Sequence, residues 1–122
     1  MFNHRSRTNG PKNGLARLQR MAKTGCAVVH WERAINPTSR RLGISAAEAH
    51  QYALHTVQRL VTTDYVAPVQ QRGVWFDVYA LYRDRLGWFV KIGGRGRLAG
   101  HLSPRAGEGI VVNGSRFRGQ GD

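Results

Sequence analysis

The chain has 122 residues, and its 19 lysine and arginine residues against seven acidic ones give a formal net charge of +12. This length predicts one domain, and the supply of aliphatic and aromatic residues is enough for one core, which excludes a wholly disordered chain. Because Cys26 is the single cysteine, an internal disulfide and a cysteine-based zinc site are also excluded.

The excess of basic residues predicts a polyanionic partner. Arginines outnumber lysines sixteen to three, and arginine binds phosphate through two parallel hydrogen bonds and stacks on bases. Nucleic acid, an acidic protein and an anionic membrane surface all fit this charge, whereas a GC-rich genome would supply arginine without any such partner. The sequence has no apolar run of about 20 residues and no signal-peptide core. We therefore expect a cytoplasmic protein that does not enter a membrane.

The N-terminal part predicts an arm followed by a helix. Residues 1–13 contain three cations and asparagines next to glycine, and they predict a flexible basic arm. Leu15, Leu18 and Met21 recur at helical spacing with cations on the other side, which predicts an amphipathic helix over 14–24.

The next segments predict further helix. Residues 26–30 suggest a brief extended segment, and residues 31–42 are ambiguous because a proline interrupts the helical pattern. Ser45 and Glu48 have the spacing of a capping box, which predicts the start of a helix over 46–61.

The second half predicts strands. Apolar residues alternate over 74–82 and 87–92, with a charged turn between them, and shorter strands are expected at 65–69, 97–103 and 109–113. Helices followed by an antiparallel meander predict an α+β fold with N-terminal helices packed on a small antiparallel sheet.

The domain limits follow from this order of elements. We expect a single α+β domain over 14–115 and a polar, glycine-rich tail over 116–122. Two charges, Asp77 and Lys91, stand inside the best predicted strands. They either pair across two strands on a solvated face or line a site.

The motifs for nucleotide and metal chemistry are weak. The run from Gly93 to Arg97 is rich in glycine but lacks the lysine and serine or threonine of a phosphate-binding P-loop. It predicts a hairpin loop, or a bulge that holds Arg95 and Arg97 near a phosphate. His50 and His55 are five residues apart, off the spacing for two ligands on one helix face. We therefore predict no metal and no cofactor.

Metal-free RNA cleavage remains compatible with the residue types in 75–105. The reaction needs a base for the ribose 2′-hydroxyl, cations for the phosphorane charge and an acid for the leaving oxygen. His101 lies in this region and is a candidate general acid or base, whereas the other histidines lie in the arm, the brief extended segment or an outer helix face. If 97–101 is extended, Arg97 and His101 share a sheet face, and the pKa of His101 is expected near neutrality.

Several motifs in a fixed order carry a family resemblance over roughly residues 14–103. They are Leu42-Gly43, Asp64-Tyr65, Trp75-Phe-Asp77-Val-Tyr79 and Phe89-Val-Lys91-Ile92. This order resembles the MqsR-type messenger-RNA interferase toxins of the RelE-like ribonuclease superfamily. The resemblance implies a RelE-like fold, metal-independent cleavage of RNA and neutralisation by a cognate antitoxin protein.

The resemblance and the charge together select the candidate residues. The candidate catalytic residues are His101, Tyr79, Lys91 and Arg97, and the candidate RNA contacts are Arg95, Arg105, Arg83 and Arg85.

Three positions depart from the family pattern. Ala67, Phe76 and Phe89 stand where the family has lysine, glutamine and tyrosine, and His101 best matches its terminal basic residue. One interpretation is a site rebuilt from Tyr79 and the basic residues at 97, 101 and 105. Another is a non-catalytic nucleic-acid-binding protein of a phage or mobile element, and a third is a protein that binds an acidic protein partner.

Overall fold

The computed structural model describes residues 10–103, 109–112 and 115–118. The predicted α+β fold is confirmed, with the helices first and most of the sheet after them. The helices are α1 (Leu15–Thr24), α2 (Asn36–Leu42) and α3 (Ala46–Arg59). The strands are β1 (Val28–Val29), β2 (Tyr65–Gln71), β3 (Val74–Arg83), β4 (Leu86–Gly93), β5 (Arg97–Leu102), β6 (Gly109–Val112) and β7 (Ser115–Arg118).

The helix boundaries follow local chemistry. The capping box at the start of α3 is complete, since the Ser45 hydroxyl accepts from the Glu48 N–H and a Glu48 carboxylate oxygen accepts from the Ser45 N–H. The ambiguous segment resolves into a π-helical turn at Trp31–Ile35 that leads into α2. Pro37 lies in the first turn of α2, where its missing N–H is not needed.

The five-stranded sheet has the order β1-β5-β4-β3-β2. Strands β2 to β5 form the expected antiparallel meander, and β1 pairs with β5 in parallel. The sheet is therefore mixed at one edge, because the short extended segment between α1 and α2 joins it. Among the described residues, β6 and β7 form a separate two-stranded ladder.

One face of the sheet packs against the helices, and we call it the inner face. Tyr79, Val90, Ile92 and Leu98 point from this face into a buried cluster. The helical members of the cluster include Leu18, Ala53, Leu54 and Val57. Burial of these apolar side chains is the main stabilising contribution to the fold.

The predicted domain limits need two corrections. Residues Lys12 and Asn13, placed in the flexible arm, are fixed to the domain by hydrogen bonds to Asp77. The predicted boundary between domain and tail at 115/116 falls inside β7, whose residues pair with β6. Within the described residues, no helix has the length and apolar character needed to cross a membrane.

Candidate functional site

A cleft of about 1050 Å³ opens at one end of the sheet. The β2–β3 turn, the β4–β5 turn, the π-helical turn and the segment before α1 meet there. Six cationic side chains line it: Lys12, Arg33, Arg72, Lys91, Arg95 and Arg97. No carboxylate of the described residues lines this basic cleft. Such a concentration of one charge attracts anions.

Two tight turns place three of these arginines. The β2–β3 hairpin turns at Arg72 and Gly73, which have φ angles of 53° and 78°, as a two-residue hairpin turn requires. The β4–β5 turn contains Gly96 at φ 76°, and the Gly96 N–H donates to the Gly93 carbonyl at 3.0 Å. Arg95 and Arg97 flank Gly96, so the glycine run is a hairpin loop that carries two cations into the cleft.

Lys91 lies on the outer face of β4, opposite the helices. Its Nζ donates to Gln71 Oε1 at 2.6 Å and lies 5.2 Å from the centroid of the Phe76 ring. Burial and the nearby Arg33 guanidinium lower the pKa of Lys91. A bound anion would reverse both effects by replacing lost hydration and opposing Arg33.

Asp77 has a structural role. It is fully buried and accepts from the Lys12 N–H at 2.8 Å, the Asn13 N–H at 2.9 Å and Asn13 Nδ2 at 3.2 Å. Its strand partner is Ile92, on the inner face, so the alternative that Asp77 pairs with Lys91 on a solvated face is wrong. The three bonds hold the segment that carries Lys12 into the cleft.

His101 lies on the other face of the sheet from Lys91. A β-bulge in β5 accounts for this, because Ile92 pairs with Leu98 while Lys91 pairs with Gly100. The additional residue changes the alternation, so His101 points inward, as Leu98 does. The prediction that Arg97 and His101 share a sheet face is therefore wrong.

The surroundings of His101 keep it neutral. It is fully buried, and its ring stacks on Trp88 with centroids 4.3 Å apart and an interplanar angle of 18°. Burial, with a smaller contribution from the Arg83 guanidinium, lowers the pKa of His101 to about 3. The expected pKa near neutrality is therefore wrong, since desolvation outweighs every other influence.

The hydrogen bonds around His101 fix its tautomer. Thr56 Oγ1 donates to the Tyr52 carbonyl at 2.9 Å and accepts from Arg83 Nη1 at 2.7 Å. With its one proton used, Thr56 Oγ1 accepts from His101 Nε2 at 3.1 Å, so Nε2 carries the hydrogen. Nδ1 then accepts from the Thr38 hydroxyl at 2.6 Å. We call these five residues the threonine–histidine network.

The other predicted residues that the structure describes lie outside the basic cleft. Arg83 packs 3.7 Å above the Tyr52 ring centroid, and Arg85 is exposed in the β3–β4 turn, far from the cleft. The eight residues of β4 separate this turn from the cleft by about 23 Å at roughly 3.3 Å per residue. Tyr79 is buried, and burial raises its pKa to about 12. Arg105 lies outside the described residues.

The structure thus brings together Lys91, Arg95 and Arg97 of the eight predicted residues. Sequence reasoning missed five other side chains of the cleft: Lys12, His30, Arg33, Arg72 and Trp75. The Arg72-Gly73 pair before a strand was a usable hairpin signal. The others converge only through long-range contacts that have no local pattern.

The three positions that depart from the family pattern share the outer face. Ala67 pairs with Val78, Phe76 with Gly93 and Phe89 with Ala80, all in the same alternation as Lys91. None of the three side chains can transfer a proton or donate a hydrogen bond.

Comparisons of this chain with protein-family models, curated proteins and solved structures give no match. The resemblance to the MqsR-type toxins therefore rests on the sequence motifs.

Proposed function

We propose that this protein binds RNA through the basic cleft. The observation that carries the proposal is the set of six cations around one open cleft, with no carboxylate among the described residues that line it. Neutralisation of successive phosphates supplies most of the affinity in such complexes. Six cations exceed the charge of a single phosphate group, so their number favours a polymer with successive phosphates.

Non-catalytic binding is the function that the geometry supports best. His101 has no exposed surface, its hydrogen-bonding atoms are occupied by Thr38 and Thr56, and the Tyr79 hydroxyl is buried. The positions of Ala67, Phe76 and Phe89 offer no acid or base. Cations remain, and cations are sufficient to bind phosphate without cleaving it.

The second candidate is a toxin-like, metal-independent endoribonuclease that a cognate antitoxin neutralises. His30 favours it, because this exposed histidine lines the basic cleft and its Nδ1 accepts from the Arg33 N–H at 3.1 Å. An imidazole at this position can exchange a proton with a phosphate ester that the neighbouring cations hold in the cleft.

The binding test measures the anisotropy of a labelled RNA strand of roughly 12 nucleotides against salt concentration. If all six cations neutralise phosphates, the slope of log affinity against log salt is about −4 for a single strand. Lys91→Gln and Arg97→Gln should each reduce the magnitude of the slope by about 0.7. Arg85→Gln, at the opposite end of the sheet, is the matched control and should leave it unchanged.

A flat salt response would remove RNA as the partner. An equal reduction of the salt slope in Lys91→Gln and in the Arg85→Gln control would show that the net charge binds RNA without a defined site. Tight binding of an acidic protein with no RNA binding would favour the acidic-partner alternative instead.

Cleavage is tested on the same RNA with a chelator present. The proposal of non-catalytic binding predicts intact RNA and normal growth of cells that express the protein. Cleavage lost in His30→Ala and retained in His101→Ala, with growth arrest relieved by co-expression of an antitoxin protein, would establish the toxin-like candidate.

A further inference from the structure

We infer that the basic cleft takes single-stranded nucleic acid and that one unpaired base stacks on Trp75. This inference rests on the proposed function and names the form of nucleic acid that the cleft selects.

Trp75 is the aromatic side chain of the cleft that is available for stacking. Its exposed fraction is 41%, whereas that of Phe76, the phenylalanine of the lining, is 7%. Phe76 is closely packed by Gly93, where an added Cβ would lie 3.0 Å from its ring atoms. A base can therefore reach the indole of Trp75 but not the Phe76 ring.

The indole ring of Trp75 already makes a cation–π contact with a lysine. The Lys12 Nζ lies 4.7 Å from the ring centroid. A cation–π contact at an exposed site is weaker than the stacking of a base on an aromatic side chain. A base can thus replace the ammonium group, and the released ammonium then lies beside the sugar–phosphate chain of the same nucleotide.

The backbone around this platform is held in place before binding. Asp77, two residues after Trp75, fixes the main chain of Lys12 and Asn13. The exchange at the ring therefore moves the Lys12 side chain while its main chain stays fixed. Little ordering of the protein is required, which favours affinity.

A duplex cannot use this platform. Its bases are stacked on each other and offer only their edges in the grooves, whereas a single strand can turn a base face toward an aromatic ring. Because the cations attract the phosphates of both forms, Trp75 is the feature that distinguishes single strand from duplex.

The experiment compares Trp75→Ala and Trp75→Phe with Trp31→Ala as a matched control. Trp31 is also exposed, at 54%, but does not line the cleft. The probes are an RNA strand of roughly 12 nucleotides and the duplex of the same sequence. Trp75→Ala should weaken strand binding by about tenfold and duplex binding by less than about twofold. Trp75→Phe should retain most of the affinity.

Trp75 fluorescence gives a second measurement on the unmodified protein. The strand should quench indole emission, and the quenching should be absent in Trp75→Ala and present in Trp31→Ala. Circular dichroism and urea unfolding establish that each variant is folded.

The outcomes separate this inference from the proposed function. If Trp75→Ala binds the strand as tightly as the unmodified protein does, or loses equal affinity for strand and duplex, the stacking inference is overturned and RNA binding stands. Absence of salt-dependent binding of either probe by the unmodified protein would overturn the proposed function itself.

Discussion

Because the threonine–histidine network keeps His101 neutral, we predict that His101 makes the folded protein less stable in mild acid. His101 is neutral when folded, with a pKa of about 3, and has an ordinary pKa of about 6.5 when unfolded. Above the unfolded pKa both states are neutral, so the shift contributes nothing to the pH dependence. Below it the unfolded chain gains a proton that the folded protein does not, so the free energy of unfolding falls with falling pH.

The magnitude follows from the two pKa values. Each pH unit between them changes the free energy of unfolding by about 1.4 kcal/mol. Between about pH 7.5 and 5.0, the loss from His101 alone is roughly 2 kcal/mol. That is a substantial part of the 5–15 kcal/mol that stabilises an ordinary domain.

The assay is urea unfolding of the unmodified protein, His101→Gln and His55→Gln over this pH range. His101→Gln removes the titrating group and keeps a side chain that can both donate and accept, so its stability should vary less with pH by about 2 kcal/mol. His55, exposed on α3, is the matched control and should leave the pH dependence intact. An identical pH dependence in the unmodified protein and His101→Gln would refute the burial of a neutral histidine.

Three further predictions concern the cleft and its support. Asp77→Asn should lower the free energy of unfolding by about 2 kcal/mol, because the carboxylate accepts three hydrogen bonds; urea unfolding measures the loss. Gly94→Ala should destabilise by about 1–3 kcal/mol, since its Cβ would collide with Asn13 Oδ1, at the end of a side chain that a hydrogen bond to Asp77 holds in place. Gly14→Ala, with nothing within 4 Å, should cost only about 0.5 kcal/mol through the less favourable residue at the N-cap of α1; thermal unfolding compares the two. Because burial and Arg33 lower the pKa of Lys91 and a phosphate raises it, affinity for a deoxyoligonucleotide should fall as rising pH removes the Lys91 proton. Lys91→Arg should abolish that pH dependence in an anisotropy titration.

Local chemistry made most of the secondary structure predictable. The alternation around Asp77 and the Ser45–Glu48 spacing fix β3 and the start of α3 by short-range rules. These rules fail where an irregularity changes the alternation. Gly100 is compatible with a β-bulge in β5, but a glycine inside a strand does not by itself fix the register, so the face of His101 was assigned wrongly by one residue.

The composition of the cleft was predictable only in part. Arg95 and Arg97 are neighbours in sequence, so their common position follows from one turn. Lys12 is placed at the same cleft by a hydrogen bond to Asp77, which is 65 positions away in the sequence. Arg33 is placed there by the parallel pairing of β1 with β5. Such contacts depend on the completed fold and have no local signature.

The residues on the outer face of the sheet favour RNA binding over RNA cleavage. A catalyst needs an acid and a base placed within hydrogen-bonding reach of particular atoms, so one apolar substitution at such a position removes its contribution. Binding through phosphates depends on the number of cations and tolerates the loss of any one of them. Ala67, Phe76 and Phe89, which stand where the MqsR-type toxins that the motifs resemble have lysine, glutamine and tyrosine, are apolar and lie on the face of Lys91. The cations of the cleft remain, and for binding they need only lie near the phosphates. We therefore expect this protein to bind RNA without cutting it.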